Sequence, residues 1–252
     1  MREGKIFLFI MLKQIFLLLK KLIFPSECIG CSYNVDGVFC HKCWQEVKFI
    51  SKPCCAVCCH PFEFGSAEEN LLCAKCLAKP YNFTKLITVF RYNAFIAKII
   101  ATFKYRDQLF LAKKLASLLK PHLDVALEEC QIITVVPLHY KKLRLRKFNQ
   151  SILLAKYLLN KNQLVKFVPD LLIRNHYTKS QTFLNKTQRQ KNLKKAFVVN
   201  HKKQHLAYNK KILIIDDVFT TGATVNNCAL VLKKSKAKEV VVATLARVVA
   251  KN

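Results

Sequence analysis

The sequence predicts an α/β protein, a parallel sheet flanked by helices, preceded by a small cysteine-rich region organised by metal. Three observations predict it. Short apolar runs at 85–92, 131–136, 211–215 and 239–245 alternate with segments of helical apolar spacing, and that alternation requires crossovers between parallel strands. Eight of the twelve cysteines form four C-x-x-C pairs: Cys28/Cys31, Cys40/Cys43, Cys55/Cys58 and Cys73/Cys76. Finally, the run Ile212-Leu213-Ile214-Ile215 leads into Asp216-Asp217-Val218-Phe219-Thr220-Thr221-Gly222-Ala223-Thr224, followed by a helical segment at 225–234.

Composition bounds the answer. A chain of 252 residues that is 52% apolar can build a real core, which excludes a disordered chain. Length allows one large domain or two smaller ones. The reading taken here is an N-terminal helix at 1–24, a double zinc ribbon at 25–80 and an α/β domain at 81–252. The net charge of +28 predicts a basic face that attracts polyphosphates or nucleic acid. Lysines outnumber arginines 35 to 8, so part of that charge reflects coding bias.

Residues 6–24 are strongly apolar but interrupted by Lys13, Lys20 and Lys21. That makes a marginal membrane span, and no small-x-small cleavage site follows. The spacing predicts an amphipathic helix at 12–24, with association to a membrane surface as the second reading. Met11 is an alternative start. The expected localisation is cytoplasmic, with the inner membrane face as the peripheral alternative.

Each C-x-x-C pair puts two thiolates on one tight turn, where both reach a metal at about 2.3 Å. Four pairs supply eight ligands, enough for two structural Zn²⁺ sites. A disulfide framework is the competing reading, and the regular pairing favours metal. Sequential pairing gives two consecutive ribbons, interleaved pairing the alternative. Cys54 and Cys59 are adjacent spares, either able to replace a neighbouring ligand. Cys130 and Cys228 stand alone and read as small buried residues.

Beyond Pro80, residues 85–92 read as a strand, 94–105 and 107–120 as helices, and 131–136 as a strand ending at Pro137. The stretch 137–150 carries five Lys and Arg and no acid. It reads as a basic loop that could clamp a pyrophosphate, arginine being suited to bidentate contacts. Helical spacing resumes at 148–160, and 165–168 reads as a short strand. Residues 174–197 are polar, basic and free of acid, the composition of a lid or binding loop. The acid pair stands out against its surroundings. Between Glu129 and Asp216 there is one acid, Asp170, against 19 Lys and Arg. Gly222 is the only glycine after Gly65, which suggests a backbone need that no side chain meets. A strand, a hydroxyl-bearing turn and a helix start together make an anion cradle.

At this point a family resemblance can be drawn. The stretch 214–224 resembles the phosphoribosyl-pyrophosphate (PRPP) motif of type I phosphoribosyltransferases. The whole chain resembles the ComF family, which joins a double zinc ribbon to such a domain. The matching residues are the four cysteine pairs; Phe103-Lys104-Tyr105; Val136-Pro137-Leu138 with Arg146, Phe148, Asn149 and Gln150; Arg174, Thr178, Gln181, Leu184, Arg189 and Asn192; the Asp-Asp-Thr-Thr-Gly stretch; and Ala246-Arg247.

The resemblance implies that Asp216 and Asp217 hold the ribose hydroxyls and that Thr220, Thr221, Gly222, Ala223 and Thr224 hold the 5′-phosphate. Lys104, Arg144, Arg146 and Arg189 are the cations expected at the PRPP site, with Mg²⁺ bound alongside PRPP. It also implies a role in DNA uptake and natural transformation, with single-stranded DNA and competence or recombination proteins as partners. Two function classes follow: an Mg²⁺-dependent phosphoribosyltransferase, or a non-catalytic single-stranded-DNA-binding or adaptor protein that keeps only the pocket. The family usually carries glycine where this chain has Cys59, Lys147, Lys195 and Lys236. The sequence offers no N-terminal nucleophilic cysteine domain for glutamine hydrolysis.

Overall fold

The apolar runs become the strands of one five-stranded parallel sheet: β1 (Lys85–Arg91), β2 (Ile132–Val135), β3 (Lys166–Phe167), β6 (Lys211–Phe219) and β7 (Glu239–Arg247). Their order across the sheet is β1-β7-β6-β2-β3. Two further short strands, β4 (Leu172–Arg174) and β5 (Phe197–Val199), pair antiparallel as a separate two-stranded ribbon. The computed structural model from which this fold is taken describes residues 11, 27–63, 70–105, 109–159, 164–174 and 196–249. The chain divides into two units, Met1–Val47 and Lys48–Asn252.

Strands β6 and β7 are buried on both faces, as parallel strands covered by helices must be. Ile212, Ile214, Val240 and Val242 join one core cluster with Val225, Cys228, Ala229 and Leu232. The last four lie on the helix Ala223–Lys234. Leu213 and Ile215 point to the opposite face, since side chains alternate along a strand. The register is fixed by Ile212↔Val240 and Ile214↔Val242 on one side and Ile132↔Ile212 and Val135↔Ile215 on the other.

Among the described residues the helices are, in chain order, α1 (His41–Glu46), α2 (Ala74–Ala78), α3 (Ala94–Tyr105), α4 (Leu109–Leu119), α5 (Asp124–Glu129), α6 (Tyr140–Arg146), α7 (Gln150–Leu158), α8 (Gln204–Ala207) and α9 (Ala223–Lys234). The expected helix at 94–105 forms with those bounds. Of the one expected at 107–120, Leu109–Leu119 is helical and is followed by a 3₁₀ turn at Lys120–His122. Cys130 and Cys228 are buried at 4% and 0% exposure, in agreement with their reading as core residues.

Three sequence expectations change. The basic stretch 137–150 is not a loop, for residues Tyr140–Arg146 form α6, capped by His139, whose Nδ1 accepts from the Lys141 amide at 3.3 Å. Leu143 and Leu145 are exposed, so α6 has no buried apolar face to announce it. The antiparallel pair β4–β5 was not expected, because three-residue strands leave too little periodicity. Strand β6 does not stop at Ile215. It continues through the acid pair to Phe219, held by β7 alone at Asp216↔Thr244, Val218↔Ala246 and Phe219↔Arg247.

The expected helix at 12–24 and most of the polar stretch 174–197, including Thr178, Gln181, Leu184, Arg189, Asn192 and Lys195, lie outside the described residues. Among the described residues no helix is long and apolar enough to cross a membrane.

Candidate functional site

The acid pair sits where the sheet narrows. Strand β2 ends opposite Ile215, its last backbone contact being Val136 N–H to the Ile215 carbonyl at 3.1 Å. Past that point one edge of β6 is open, and Asp216 and Asp217 occupy it, in the crevice at the carboxyl ends of the strands where ligands of open α/β sheets bind. Asp216 Oδ1 accepts from the Asp217 amide at 2.9 Å. Burial and the neighbouring Asp217 charge push the Asp216 carboxyl up to about 8. The cations of Lys104 and Lys142 oppose that shift.

Lys104 comes from the last turn of α3 and meets Asp217 Oδ2 at 2.6 Å, both side chains being largely shielded from solvent. A relay holds it there. Gln150 Nε2 donates to the Lys104 carbonyl at 3.0 Å, and Arg146 Nη1 donates to Gln150 Oε1 at 3.2 Å. Thus Arg146, Lys104 and the acid pair, far apart in sequence, belong to one connected group. Asn149 braces the same corner. Its Nδ2 donates to the Val136 carbonyl at 3.1 Å and its Oδ1 caps α7 by accepting from the Ser151 amide at 3.0 Å. Arg144 stands apart on the exposed side of α6, its guanidinium 6.0 Å from the Tyr140 ring. Arg174 lies in β4, stacked 5.5 Å over Phe197. Lys142 is the cation that sequence reasoning left out. It belongs to the basic stretch already singled out, but only the helical form of α6 tells which of its cations lies near Asp216.

Lys147 keeps the backbone that a glycine would supply. Its φ is +63°, left-handed, at the carboxyl end of α6. Cys59 and Lys236, two further sites where the family places glycine, have φ of +54° and +60°. The chain holds these turns with side chains present, at a cost of about 1–2 kcal/mol each. The sharp end of the basic corner is therefore retained.

Residues Thr220, Thr221 and Gly222 join β6 to α9, whose first residues are Ala223 and Thr224. Gly222 has φ +80°. A Cβ there would lie 2.5 Å from Phe219 Cζ and 2.9 Å from Tyr81 Cε1. Conformation and space both exclude a side chain, as the lone glycine led one to expect. Thr221 Oγ1 accepts from the Ala223 amide at 3.3 Å. The first turn of α9 leaves amides without intrahelical partners and presents the positive end of its dipole.

The cysteines settle into two groups, Cys28/Cys31/Cys40/Cys43 and Cys55/Cys58/Cys73/Cys76, the ligand atoms of each lying within 4.8 Å of one another. Pairing is sequential. Cys31 and Cys40 Sγ are 3.6 Å apart, as are Cys58 and Cys73 Sγ. A tetrahedral ion with sulfur at about 2.3 Å needs about 3.8 Å between sulfurs, so both groups fit Zn²⁺. Backbone amides of Gly30 and Cys40 point at Cys28 Sγ, and that of Cys73 at Cys55 Sγ, at 3.3–3.4 Å. Such donors stabilise thiolate ligands.

The second group is built into the α/β unit. The Leu86 amide donates to the Val57 carbonyl at 2.7 Å, and Cys59 Sγ donates to the Leu86 carbonyl at 2.8 Å. Arg247, buried at the end of β7, donates Nη1 to the Cys58 carbonyl and stacks 5.1 Å over Phe219. Burial pushes the Cys58 thiol up to about 11, and the Arg247 charge pulls it back. Arg247 Nη2 lies 3.3 Å from His60 Nδ1. Burial and the Arg247 charge hold His60 below its ordinary range, so the neutral ring can accept that bond.

Comparison with known proteins agrees with this layout. Residues 19–77 match the family model of a double zinc ribbon domain, and residues 155–252 that of a phosphoribosyl transferase domain. The chain is 29% identical over 238 residues to Competence protein F of Haemophilus influenzae, covering 89% of this chain and 98% of that relative. It is 30% identical over 213 residues to DNA utilization protein YhgH of Escherichia coli K12, covering 82% and 89%. Competence protein ComFC of Streptococcus pneumoniae is 26% identical over 215 residues, covering 85% and 90%. With zinc-ribbon cysteines in place, a phosphoribosyltransferase-type domain behind them and relatives matched over nearly their full length, this chain belongs to the ComF family.

Proposed function

We propose that this protein binds PRPP with Mg²⁺ and transfers its phosphoribosyl group to a nitrogen nucleophile, in the cytoplasmic handling of DNA taken up by the cell. One observation carries the reading. Strand β6 runs past the end of β2 through Asp216 and Asp217 and passes, by way of left-handed Gly222, into α9. Carboxylates for a ribose diol and amides for a 5′-phosphate thereby sit a few residues apart on one strand–turn–helix. The relay from Arg146 through Gln150 to Lys104 adds cations for pyrophosphate, and Arg189 and Arg144 are assigned to the same task. In the reaction the C1–O bond to pyrophosphate breaks, a C1–N bond forms, and the nucleophile loses a proton. Mg²⁺ bound with PRPP would help neutralise the departing pyrophosphate. The chain's part is to orient the ribose and to stabilise charge at the two ends.

The DNA context is supported by the relatives' names, Competence protein F and DNA utilization protein YhgH. A second reading, a single-stranded-DNA-binding or adaptor role without turnover, is favoured by α6. It exposes Tyr140 together with Lys141, Lys142 and Arg144, a basic surface with an aromatic face. Binding of that kind falls steeply with salt.

Calorimetry with PRPP, with and without Mg²⁺, tests the proposal. Wild type binds, and the Asp216→Asn/Asp217→Asn variant loses affinity by tenfold or more, about 1.4 kcal/mol. No binding by wild type sinks the PRPP assignment. Binding with no pyrophosphate released across a panel of bases leaves the non-catalytic reading.

The pH dependence follows from Asp216. With its carboxyl raised to about 8, the folded protein holds a proton that the unfolded chain gives up near pH 4. Between those values the folded state binds more protons, so stability falls as pH rises. A bound cation favours the ionised carboxylate. Affinity for PRPP with Mg²⁺ therefore rises with pH up to about 8, and binding at pH 7 releases a proton. Titrations in two buffers of different ionisation enthalpy read that proton directly.

A further inference from the structure

We propose that the second zinc ribbon is a working part of the phosphate turn. Lys75, held between zinc ligands Cys73 and Cys76, acts with Tyr81 as a positioning residue that aims the Gly222 amide into the site. This rests on the assignment of Thr220–Thr224 to the 5′-phosphate.

The carbonyl of Thr221 accepts two hydrogen bonds from the ribbon side, Lys75 Nζ at 3.2 Å and Tyr81 Oη at 3.2 Å. The peptide between Thr221 and Gly222 is trans, and in a planar trans peptide the N–H points opposite to the C=O. A carbonyl clamped toward the ribbon therefore turns the Gly222 amide away from it, into the turn. Gly222 needs such a clamp. Its missing Cβ removes the steric restraint that would hold another residue's peptide planes.

The clamp is itself anchored. Lys75 lies on α2, whose N-cap is the ligand Cys73. Tyr81 stacks on Phe83 at 4.7 Å and meets Phe219 edge-on at 5.9 Å, while the Lys75 ammonium sits 5.7 Å from the Tyr81 ring. Asn82 ties the same segment to the start of α9, its amide and Nδ2 both donating to Asn226 Oδ1 at 2.6 and 3.0 Å. Zinc held by Cys73 and Cys76 would fix α2, α2 carries Lys75, and Lys75 with Tyr81 fixes one peptide of the cradle. The ammonium also places a positive charge at the rim of an anion site.

One labelling scheme isolates the peptide concerned. The chain has five glycines, and only Gly222 follows a threonine. Carbonyl-¹³C threonine with ¹⁵N glycine in the full-length, zinc-loaded protein therefore gives a single correlated amide signal. Wild type, Lys75→Met, Lys75→Arg and Tyr81→Phe are compared with and without ribose 5-phosphate, and zinc per chain is measured for each. The expected result is an upfield move of the Thr221 carbonyl in Lys75→Met and Tyr81→Phe before any ligand is added. Ribose 5-phosphate affinity drops fivefold or more in Lys75→Met and recovers to within twofold in Lys75→Arg, with zinc content unchanged. An unmoved carbonyl in both Lys75→Met and Tyr81→Phe overturns the clamp, and so does a moved carbonyl with wild-type affinity. If wild type itself binds no ribose 5-phosphate, the phosphate assignment fails, while the carbonyl shift still decides whether the clamp exists.

Discussion

The two zinc ribbons are built alike and embedded differently. In each, the residue before the first cysteine forms a lone antiparallel bridge, Glu27↔Asn34 in one and Cys54↔Pro61 in the other. The first cysteine's amide donates to the carbonyl five residues on, Cys28 to Tyr33 and Cys55 to His60, both at 2.8 Å. The third cysteine caps a short helix, Cys40 for α1 and Cys73 for α2. Their surroundings differ. The described buried side chains of the first unit are its four-cysteine group less the exposed Cys31, joined by Phe39 and Val47. The second ribbon buries all four cysteines and donates to or accepts from β1, β7 and the turn after β6. The same motif serves once as a core for itself and once as a buttress for the turn after β6.

The largest effect that separates the two comes from removing a ligand at each site. Structural zinc contributes apparent binding energies of about 10–16 kcal/mol to small zinc modules, so either loss unfolds the ribbon concerned. Cys28→Ser and Cys55→Ser should each lower the zinc content from two per chain to one. Cys55→Ser should also lower the calorimetric melting temperature of the α/β unit and reduce PRPP affinity by tenfold or more. Cys28→Ser, whose described contacts lie within Met1–Val47, should change that affinity less. Equal losses of affinity would break the comparison.

A smaller effect is expected at Arg247. Its guanidinium bonds to the Cys58 carbonyl and lies beside a Cys₄ zinc group, which carries a net double negative charge. Arg247→Met keeps the packing on Phe219 but removes the charge and the donors. A hydrogen bond to a charged group is worth about 1.5–3 kcal/mol, and the variant should lose about that much in a urea titration. Zinc should leave the second site faster under a chelator, with the release rate of the first site as the internal control.

The contrast also marks what the sequence could tell. The strands, the two cysteine groups and the turn after β6 are local in sequence. Apolar runs, C-x-x-C spacing and a solitary glycine identify Ile212–Ile215, the eight cysteines and Gly222 without knowledge of any contact. The clamp and the relay are not local. Lys75 meets Thr221 across 146 residues, and Arg247 meets Cys58 across 189. No periodicity in the intervening chain encodes either. Helix α6 was missed for a different reason. It buries none of its side chains, so it carries no apolar stripe to detect. The left-handed turns at Cys59, Lys147 and Lys236 carry no local mark, since the side chains present argue against such a backbone; only the family's use of glycine at these positions points to them.

The smallest effect is the sharpest test of what embedding does. Ser32 and Cys59 are equivalent: each follows the second cysteine of its pair, with φ of +61° and +54°, and each donates its amide to the first cysteine's carbonyl at 2.9 and 2.8 Å. Glycine relieves a left-handed strain of about 1–2 kcal/mol, offset by about 0.4–1 kcal/mol of extra unfolded-state freedom. For exposed Ser32 the balance favours glycine by about 0.5–1 kcal/mol, so Ser32→Gly should slow zinc loss from the first site about threefold under chelator competition. Cys59 has more to lose. Its thiol donates to the Leu86 carbonyl and packs against the main core cluster, and a hydrogen bond contributes about 0.5–1.5 kcal/mol before packing is counted. Cys59→Gly should therefore weaken the second site slightly, the opposite sign from the same change one ribbon earlier. Zinc retention that moves the same way in both variants would mean that the contacts to β1 contribute nothing, and that the second ribbon only rests on the α/β unit.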